Sequence, residues 1–516
     1  MSDYPTSQVE TWLYERGFEK ASPFATTVAD QEKEYLAEEL FMPVNEYDRI
    51  KGPETLIVFA PRGGGKSALR VRLAAISSPQ NEKADVLAVC CTDLEPLLVQ
   101  YRADGCLTEE AFAAYLLRQT AAILLDIFTP RSRDKAEEKH RFTLAEQVEP
   151  MERSLMATFV RTHAPHVFTA QSYYQRFRQL DVTFRLDWTM FRTAVAQQQL
   201  RAFLQVTSLA TNPTALLVAD ICDEPVASAP PITWLEQFEV MIGLLKSLGI
   251  HQLQFLIDRI DESPTLAGDY EKQVDFLSPL LAYLSLLEMP GLAFKFFLAQ
   301  ELRKIMGERA SLRRDRLLDK AVTIQWDKEA LKKLLDDRLQ FFSEGRVPSL
   351  VALCSEQEGA EIEDELLKLS LGSPRRMLTA VQLLVRTHVQ KDSSAPFLTK
   401  EDWKKAREEL LQLMPPVIGL RLDEGTAVVG GEVVKLSKNE TKILQTLVDR
   451  GGYCAREELI DLVWDASEGV SDYAVDQAIS RLRNNKLGDS GVNPVYLLTI
   501  SGQERGFRLE YYDVLA

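Results

Sequence analysis

The stretch FAPRGGGKSALR, Phe59 to Arg70, sets three consecutive glycines, a lysine and a serine between an apolar run and a helical pattern. In the pattern GxxxxGK[ST], backbone N–H groups of a glycine-rich turn and a helix N-terminus point at phosphate oxygens. Gly63, Gly64 and Gly65 supply the turn, Lys66 is placed to reach the outer phosphates, and the Ser67 hydroxyl to ligate magnesium. Ala60 stands where the pattern has its first glycine, which is the one departure. A flexible glycine hinge is the plain alternative, but the loop follows an apolar strand and precedes a helix, the context phosphate binding requires. A site for ATP and Mg2+ is expected, with ATP and GTP not distinguished.

A second carboxylate-bearing stretch lies far downstream. LQFLIDRIDE, Leu253 to Glu262, is an apolar run ending in Asp258, with Asp261 and Glu262 shortly after it. A carboxylate at a strand end can hold Mg2+ through water; the plain alternative is a strand followed by an acidic turn. The residue after Asp258 is Arg259, not a glutamate that could polarise an attacking water. That task falls to Glu262 or, failing it, Asp261.

Positioning these groups requires a sheet. Apolar runs at Glu54–Pro61, Ala84–Asp93, Leu253–Glu262, Gly291–Gln300 and Ala321–Trp326 read as five strands separated by helical patterns. Such an alternation predicts an α/β fold, a parallel sheet covered on both faces. The expected organisation is a helical lead-in over 1–50, a core over 51–326 with a helical insertion at about 97–250, a helical lid over 327–413 and a separate module over 417–516. The boundary before that module is MPPVIG, because paired prolines stop a helix and stiffen a connection.

The bulk properties exclude several classes. A chain of 516 residues exceeds what one hydrophobic core organises, so a multidomain protein is expected. It has no apolar run of membrane-spanning length and no apolar signal core near its start, so a cytoplasmic protein without membrane contact is expected. The six cysteines are scattered without CxxC pairs, which indicates neither a zinc site nor a disulfide framework. A net charge of −16 argues against a general nucleic-acid coat, so any such contact must be local.

The loop, the DRIDE turn and their order resemble the additional-strand P-loop ATPases, in particular the NACHT, KAP and origin-recognition-like branches of the STAND and AAA+ groups, over roughly residues 20 to 390. That resemblance implies a polar sensor after the fourth strand, here Gln300 in FFLAQE, and an arginine-bearing helix before the fifth. ERASLRRDRLLDKAVTIQW fits that helix, making Arg313, Arg314 and Arg316 arginine-finger candidates that would act on a neighbour's γ-phosphate in a homo-oligomer. Arg-Asp-rich helices are also commonly solvated faces. LGSPRRML, Leu371 to Leu378, resembles the sensor-2 motif of the same groups, with Pro374 starting a helix and Arg375 facing the phosphates.

The last hundred residues resemble an OmpR/PhoB-type winged helix: LSKNE opens the first helix, REELIDLVW the second, VDQAISRLRNNKLG the recognition helix, and TISGQERGFRL the wing. A recognition helix enters the major groove of double-stranded DNA while the wing lies along the backbone. The expected DNA-facing residues are Gln477, Ser480, Arg481, Arg483, Asn484 and Lys486 on the helix and Thr499, Arg505 and Arg508 on the wing. Against this, the module carries 11 lysines and arginines and 16 aspartates and glutamates, a net −5, and Asp472 and Asp476 flank the start of the recognition helix. The resemblances imply an ATP-dependent regulator acting on DNA. The alternatives are a STAND-type signalling or defence scaffold that uses the winged helix to bind protein, and, less in keeping with the acidic balance, an origin-recognition-like DNA loader.

Overall fold

The computed structural model describes residues 7–18, 22–38, 40–77, 85–128, 150–163, 174, 188–197, 199–207, 209–212, 215–216, 219–220, 233–247, 249–309, 312, 319–414, 418–429, 432–464, 472–487, 496–500, 505–510 and 512–514. The chain divides into two compact units: Val28–Gln325, and Met1–Thr27 together with Trp326–Ala516.

In the first unit the five apolar runs form one sheet of parallel strands, β1 (Leu56–Ala60), β2 (Val86–Cys91), β3 (Gln252–Ile257), β4 (Leu292–Ala299) and β5 (Ala321–Thr323), in the order β2-β3-β4-β1-β5. Burial follows position. The central strands β1 and β4 are buried at every residue and β3 at all but its first, whereas the edge strand β2 alternates. Runs without polar alternation are the mark of strands covered on both faces. Between β2 and β3 the described helices include Glu109–Phe128, Pro150–His163 and Trp234–Ser247, within the span read as a helical insertion. Phe238, Phe255 and Phe294 continue that helix's packing into the sheet, with the last two rings stacked at 5.2 Å.

The register sets the height of the strand ends. Ala60 pairs with Ala299 and Ile257 with Phe296, so β1 and β4 end level while β3 ends three residues lower. Three segments therefore arrive at one end of the sheet: the glycine loop after β1, Asp258 after β3 and Gln300 after β4.

In the second unit, four long helices follow β5: Lys328–Phe342, Gly359–Leu369, Pro374–Asp392 and Lys400–Leu413. Their starts are specified locally. Asp327 accepts from Ala330 N at 2.7 Å, Ser373 caps the third helix, and Thr399 with Asp402 forms a capping box on the fourth. The short helix Gln8–Tyr14 docks on this bundle through Trp12, whose indole N–H donates to Ala395 O at 3.0 Å and whose ring meets His388 edge-on.

The C-terminal module of the same unit has two small sheets. Strands β6 (Ile418–Arg421), β7 (Thr426–Val429), β8 (Glu432–Lys435) and β12 (Tyr512–Val514) form one in the order β12-β6-β7-β8; β9 (Tyr453–Ala455), β10 (Leu497–Ile500) and β11 (Gly506–Leu509) form the other in the order β10-β11-β9. Helices Lys438–Asp449, Arg456–Val463 and Asp472–Arg481 pack on a shared core that includes Ile443, Leu459, Val475, Ile479, Leu497 and Phe507. The third helix is shorter than the sequence pattern suggests: its α-helical part ends at Arg481 and a π-helical turn, Leu482–Lys486, completes it. Such wide turns are rare and are found mostly as single turns within α-helices.

One feature of the central sheet carries a thermodynamic consequence. Lys295, in the middle of β4, is wholly buried, and its ammonium donates to Gly52 O at 2.8 Å and to Glu54 O. Burial pulls its pKa from the ordinary 10.5 down to about 8, against the weaker opposing pull of Glu54. Below pH 8 both folded and unfolded chains carry the charge and the burial cost is fully present. Between pH 8 and 10.5 the unfolded state binds more protons, so this group's contribution to stability improves as pH rises. Replacing Lys295 by Met is expected to remove that component: the wild-type minus variant difference in urea-unfolding free energy changes across this window and is flat below it.

Candidate functional site

The loop is built by backbone constraints that only glycine meets. Gly63 and Gly65 have φ of 78° and 91°, left-handed values that cost other residues conformational energy. Gly64 is required for a different reason: a Cβ there would lie 2.9 Å from Pro61 O and 3.0 Å from Pro61 Cδ. Ala60, the departure from the motif, is still the last strand residue of β1, in extended conformation and paired with Ala299. No glycine is needed at that point, because the turn begins after it.

Helix Lys66–Ile76 starts directly at the motif lysine, with Gly65 as N-cap and no side-chain cap. Its first-turn N–H groups are thus not consumed by a neighbouring side chain, and the helix end presents positive partial charge to the loop. Lys66 is only 8% exposed and its Nζ donates to Ala60 O at 3.3 Å, which holds the amine against the end of β1. A cradle of three glycines over an uncapped helix N-terminus with a buried lysine suits phosphate oxygens.

Asp258 follows β3 and is 1% exposed. Its N–H donates to Cys91 O at 3.3 Å, extending the β2–β3 pairing by one residue. Its Oδ2 accepts from Ser67 Oγ at 2.9 Å and from Arg70 Nε at 2.9 Å. Ser67 and Asp258, far apart in sequence, are therefore brought into direct contact, and a hydroxyl beside a carboxylate is the hard-oxygen set that Mg2+ takes. Arg70 was not singled out by sequence reasoning. It is 3% exposed, and its Nη2 donates to Asp30 Oδ2 at 2.6 Å. Burial opposes its charge, but the Asp30 hydrogen bond and the field of Asp258 outweigh it and raise the guanidinium pKa above the ordinary value.

The remaining expected residues fall as follows. Glu262 and Asp261 lie on the 3-10 turn Ile260–Glu262; the Glu262 side chain is mostly exposed and stands 3.6 Å from Arg259 Nε, and Asp261 is half-buried. Gln300 is exposed directly after β4, and its N–H donates to Ala60 O at 3.2 Å, which sets it beside the loop. Arg303, three residues on, donates to Thr323 Oγ1 at 3.1 Å. Arg313, Arg314 and Arg316 lie outside the described residues. Arg375 is half-buried in the first turn of helix Pro374–Asp392 in the other unit. Its neighbour Arg376 is buried and committed to Leu369 O and Met414 O.

In the C-terminal module, Val475, Ile479 and Leu482 turn into the core. That leaves Tyr473, Gln477, Ser480, Arg481 and Asn484 exposed on the opposite side, a stripe of mostly uncharged hydrogen-bonding groups. Gln477 donates to Tyr473 Oη at 3.2 Å and Asn484 to Ser480 Oγ at 3.2 Å. Arg483 and Thr499 are joined to each other: Arg483 Nη2 donates to Thr499 Oγ1 at 2.9 Å and its Nε to Leu497 O at 2.8 Å, tying the helix end to the wing. Lys486 donates to Lys435 O at 2.8 Å. Arg508 is exposed on β11 over the Tyr453 ring, and Arg505 is exposed where β11 begins; the wing tip between β10 and β11 lies outside the described residues. Gly506 is obligatory, since a Cβ would fall 2.4 Å from Cys454 O on β9. The two acids at the start of the third helix are held by Arg456, whose Nη1 donates to Asp476 Oδ1 at 2.7 Å and Nη2 to Asp472 O at 2.9 Å. The hydrogen bond with Asp476 raises the Arg456 pKa, and the pair removes part of the negative field that the sequence sets there.

Residues 431–509 match the family of the C-terminal domain of transcriptional regulatory proteins. This module is an OmpR/PhoB-type winged helix. The first unit is built on a five-stranded parallel sheet in which β4 lies between the loop strand β1 and the Asp258 strand β3. Two solved structures align along nearly the whole chain. One is an Aeropyrum pernix ORC2 protein in ADPNP–ADP complexes, at 12% identity and TM-score 0.34, with 96% of this chain and 93% of that chain covered. The other is the Aeropyrum pernix ORC1 protein in complex with DNA, at 12% identity and TM-score 0.32, with 96% and 92% covered. No curated protein matches the chain in sequence. Among the described residues no helix is long and apolar enough to cross a membrane, and no cluster of three His, Cys, Asp or Glu could hold a metal ion.

Two substitutions test the cradle. Lys66→Ala is expected to weaken ATP binding by about tenfold or more, the usual loss for a charge-assisted contact. Gly64→Ala is expected to do the same while leaving Lys66 in place, because the added Cβ forces the loop off Pro61. Equilibrium titration with a fluorescent ATP analogue reads both.

Proposed function

We propose that the chain binds ATP with Mg2+ at the loop around Lys66 and uses its nucleotide state to control assembly and DNA binding by the C-terminal winged helix. The observation that supports this most directly is the contact between Ser67 and Asp258, which joins the loop helix to the end of β3 at a single carboxylate. Gly63, Gly64, Gly65 and Lys66 would hold the phosphates, and Ser67 and Asp258 would hold Mg2+, which when bound withdraws charge from the phosphate oxygens. Lys66 contributes fixed positive charge and the helix N-terminus oriented N–H groups.

Hydrolysis, if it occurs, depends on which residue orients water. Glu262 is the candidate, with Asp261 second; both sit on the turn whose first residue, Arg259, has φ of 68°. Gln300 and Arg375 are assigned sensor roles, and Arg313, Arg314 and Arg316 are the candidates for a finger offered to a neighbouring subunit. Assembly into homo-oligomers follows from that last assignment.

On the DNA side, Gln477, Ser480 and Asn484 suit base edges, and Arg481, Arg505 and Arg508 suit phosphates. Arg483, Lys486 and Thr499, each engaged within the module, would act by fixing the helix against the wing. Arg456 makes this reading compatible with an acidic module by engaging Asp472 and Asp476.

Fluorescence anisotropy with a labelled duplex pool tests the coupling. Wild-type protein is expected to bind duplex more tightly with ATP and Mg2+ than without, and Lys66→Ala to lose the difference. Equal affinity in both conditions refutes nucleotide control; ATP-driven assembly in light scattering without salt-sensitive DNA binding points instead to a signalling scaffold. Within the DNA reading, Arg481→Ala is expected to weaken binding across sequences and to reduce the slope of log K against log salt by about 1.

A further inference from the structure

The surroundings of Asp258 contain a charge arrangement that neither the glycine loop nor the strand end requires. Arg70 lies one helical turn beyond Lys66, and its Nε donates to the same Oδ2 of Asp258 that accepts from Ser67. The carboxylate available to a cation is thus already shared with a permanent, buried positive charge. Arg70 in turn has a second anion: its Nη2 donates to Asp30 Oδ2 at 2.6 Å. Asp30 sits on the 3-10 turn Ala29–Gln31, and the same Oδ2 accepts from Arg259 Nη2, while its Oδ1 is 3.4 Å from Lys33 Nζ.

Two acids and two arginines therefore form a connected group, Asp30–Arg70–Asp258 with Arg259 attached through Asp30, and Lys33 and Glu262 lie at its margin. Both guanidinium charges oppose a cation at Asp258, and Asp30, which accepts from both, is the counter-charge that offsets them. Arg259 is the only member with a left-handed backbone, φ of 68°, a conformation unfavourable for a residue with a long side chain. Its guanidinium is turned to Asp30 and lies 3.6 Å from Glu262. The residue that follows the strand-end aspartate is thus held by the segment preceding the sheet.

We propose that Asp30 and Arg70 are positioning residues that set how strongly the nucleotide site takes up Mg2+: Arg70 lowers the affinity by sharing Asp258 Oδ2, and Asp30 restores it by holding Arg70 and Arg259. This rests on the nucleotide reading above and deepens it. It also makes the segment around Asp30 a part of the site, because displacing that segment leaves the charges of Arg70 and Arg259 without their shared counter-charge.

The opposite signs of the two effects make the test specific. Full-length protein with a fluorescent ATP analogue is titrated with Mg2+, and Mn2+ uptake in the presence of ATP is followed by electron paramagnetic resonance. Asp30→Asn is expected to raise the Mg2+ midpoint about tenfold, and Arg70→Gln to lower it about tenfold, the scale on which one adjacent charge shifts cation binding at a carboxylate. Arg70→Lys, which keeps the charge, is expected to stay near wild type, and the double variant Asp30→Asn/Arg70→Gln to fall between the two single variants, because Arg259 then lacks its counter-charge. If Asp30→Asn does not fold, Arg259→Gln reports the same balance, with a midpoint below that of wild type. Midpoints unchanged in Asp30→Asn and Arg70→Gln, or moved in the same direction, overturn the proposal while Lys66-dependent ATP binding leaves the nucleotide reading standing. Failure of wild-type protein to bind ATP at any Mg2+ concentration overturns both.

Discussion

One oxygen atom, Asp258 Oδ2, is the point on which the first unit depends. It accepts from Ser67 and from Arg70, and through Arg70 it is linked to Asp30. Its carboxylate is buried at the end of a strand whose neighbours on both sides are paired, so it cannot move to water without opening the sheet. A carboxylate buried in that position is offset by the Ser67 hydroxyl and the Arg70 guanidinium that meet its Oδ2. The strand order explains how the partners meet: with β4 between β1 and β3, the loop helix that starts above β1 crosses to the end of β3 and delivers Ser67 and Arg70 to one carboxylate.

The same logic, charge tolerated by engagement, governs the C-terminal module. Its net charge is negative, and the start of its third helix carries two aspartates. Arg456 on the preceding helix spans both, and Arg483 and Lys486 spend their charge on the wing and on β8. Arg481 is the one basic residue on the exposed stripe of the third helix, whose other members, Tyr473, Gln477, Ser480 and Asn484, carry hydroxyls and amides. Uncharged hydrogen-bonding groups of that kind carry direction more than long-range field.

Much of the fold could be read from contiguous patterns. Five apolar runs became five parallel strands because continuous apolar stretches cannot be satisfied except between covering helices, and the winged helix announced itself through helix starts and a terminal hairpin. Ala60, which departs from the loop motif, proved to be a strand residue with no need of glycine. What single-sequence reasoning could not see were the residues that act through side chains brought together from distant segments. Arg70 looked like an ordinary helix arginine, Asp30 like one acid in an acidic lead-in, and Arg456 like one charge in REELIDLVW. A faint signal for Arg70 existed in its spacing: one turn after the motif lysine, it shares the helix face of Ser67 and Lys66 only approximately, yet it falls in a helix with a buried neighbour on either side.

The sequence by itself determined the loop, its helix, the strand-end aspartate, the five-strand alternation and the C-terminal module, since each is encoded by neighbours within one or two dozen residues and by local backbone preference. The tertiary structure alone decided which charges cancel. Arg70 with Asp258 and Asp30, Arg259 with Asp30, Arg456 with Asp472 and Asp476, and Arg483 with Thr499 are all pairings across elements. The physical reason is that electrostatic interaction depends on separation and burial in space, and neither is written into any local stretch of chain.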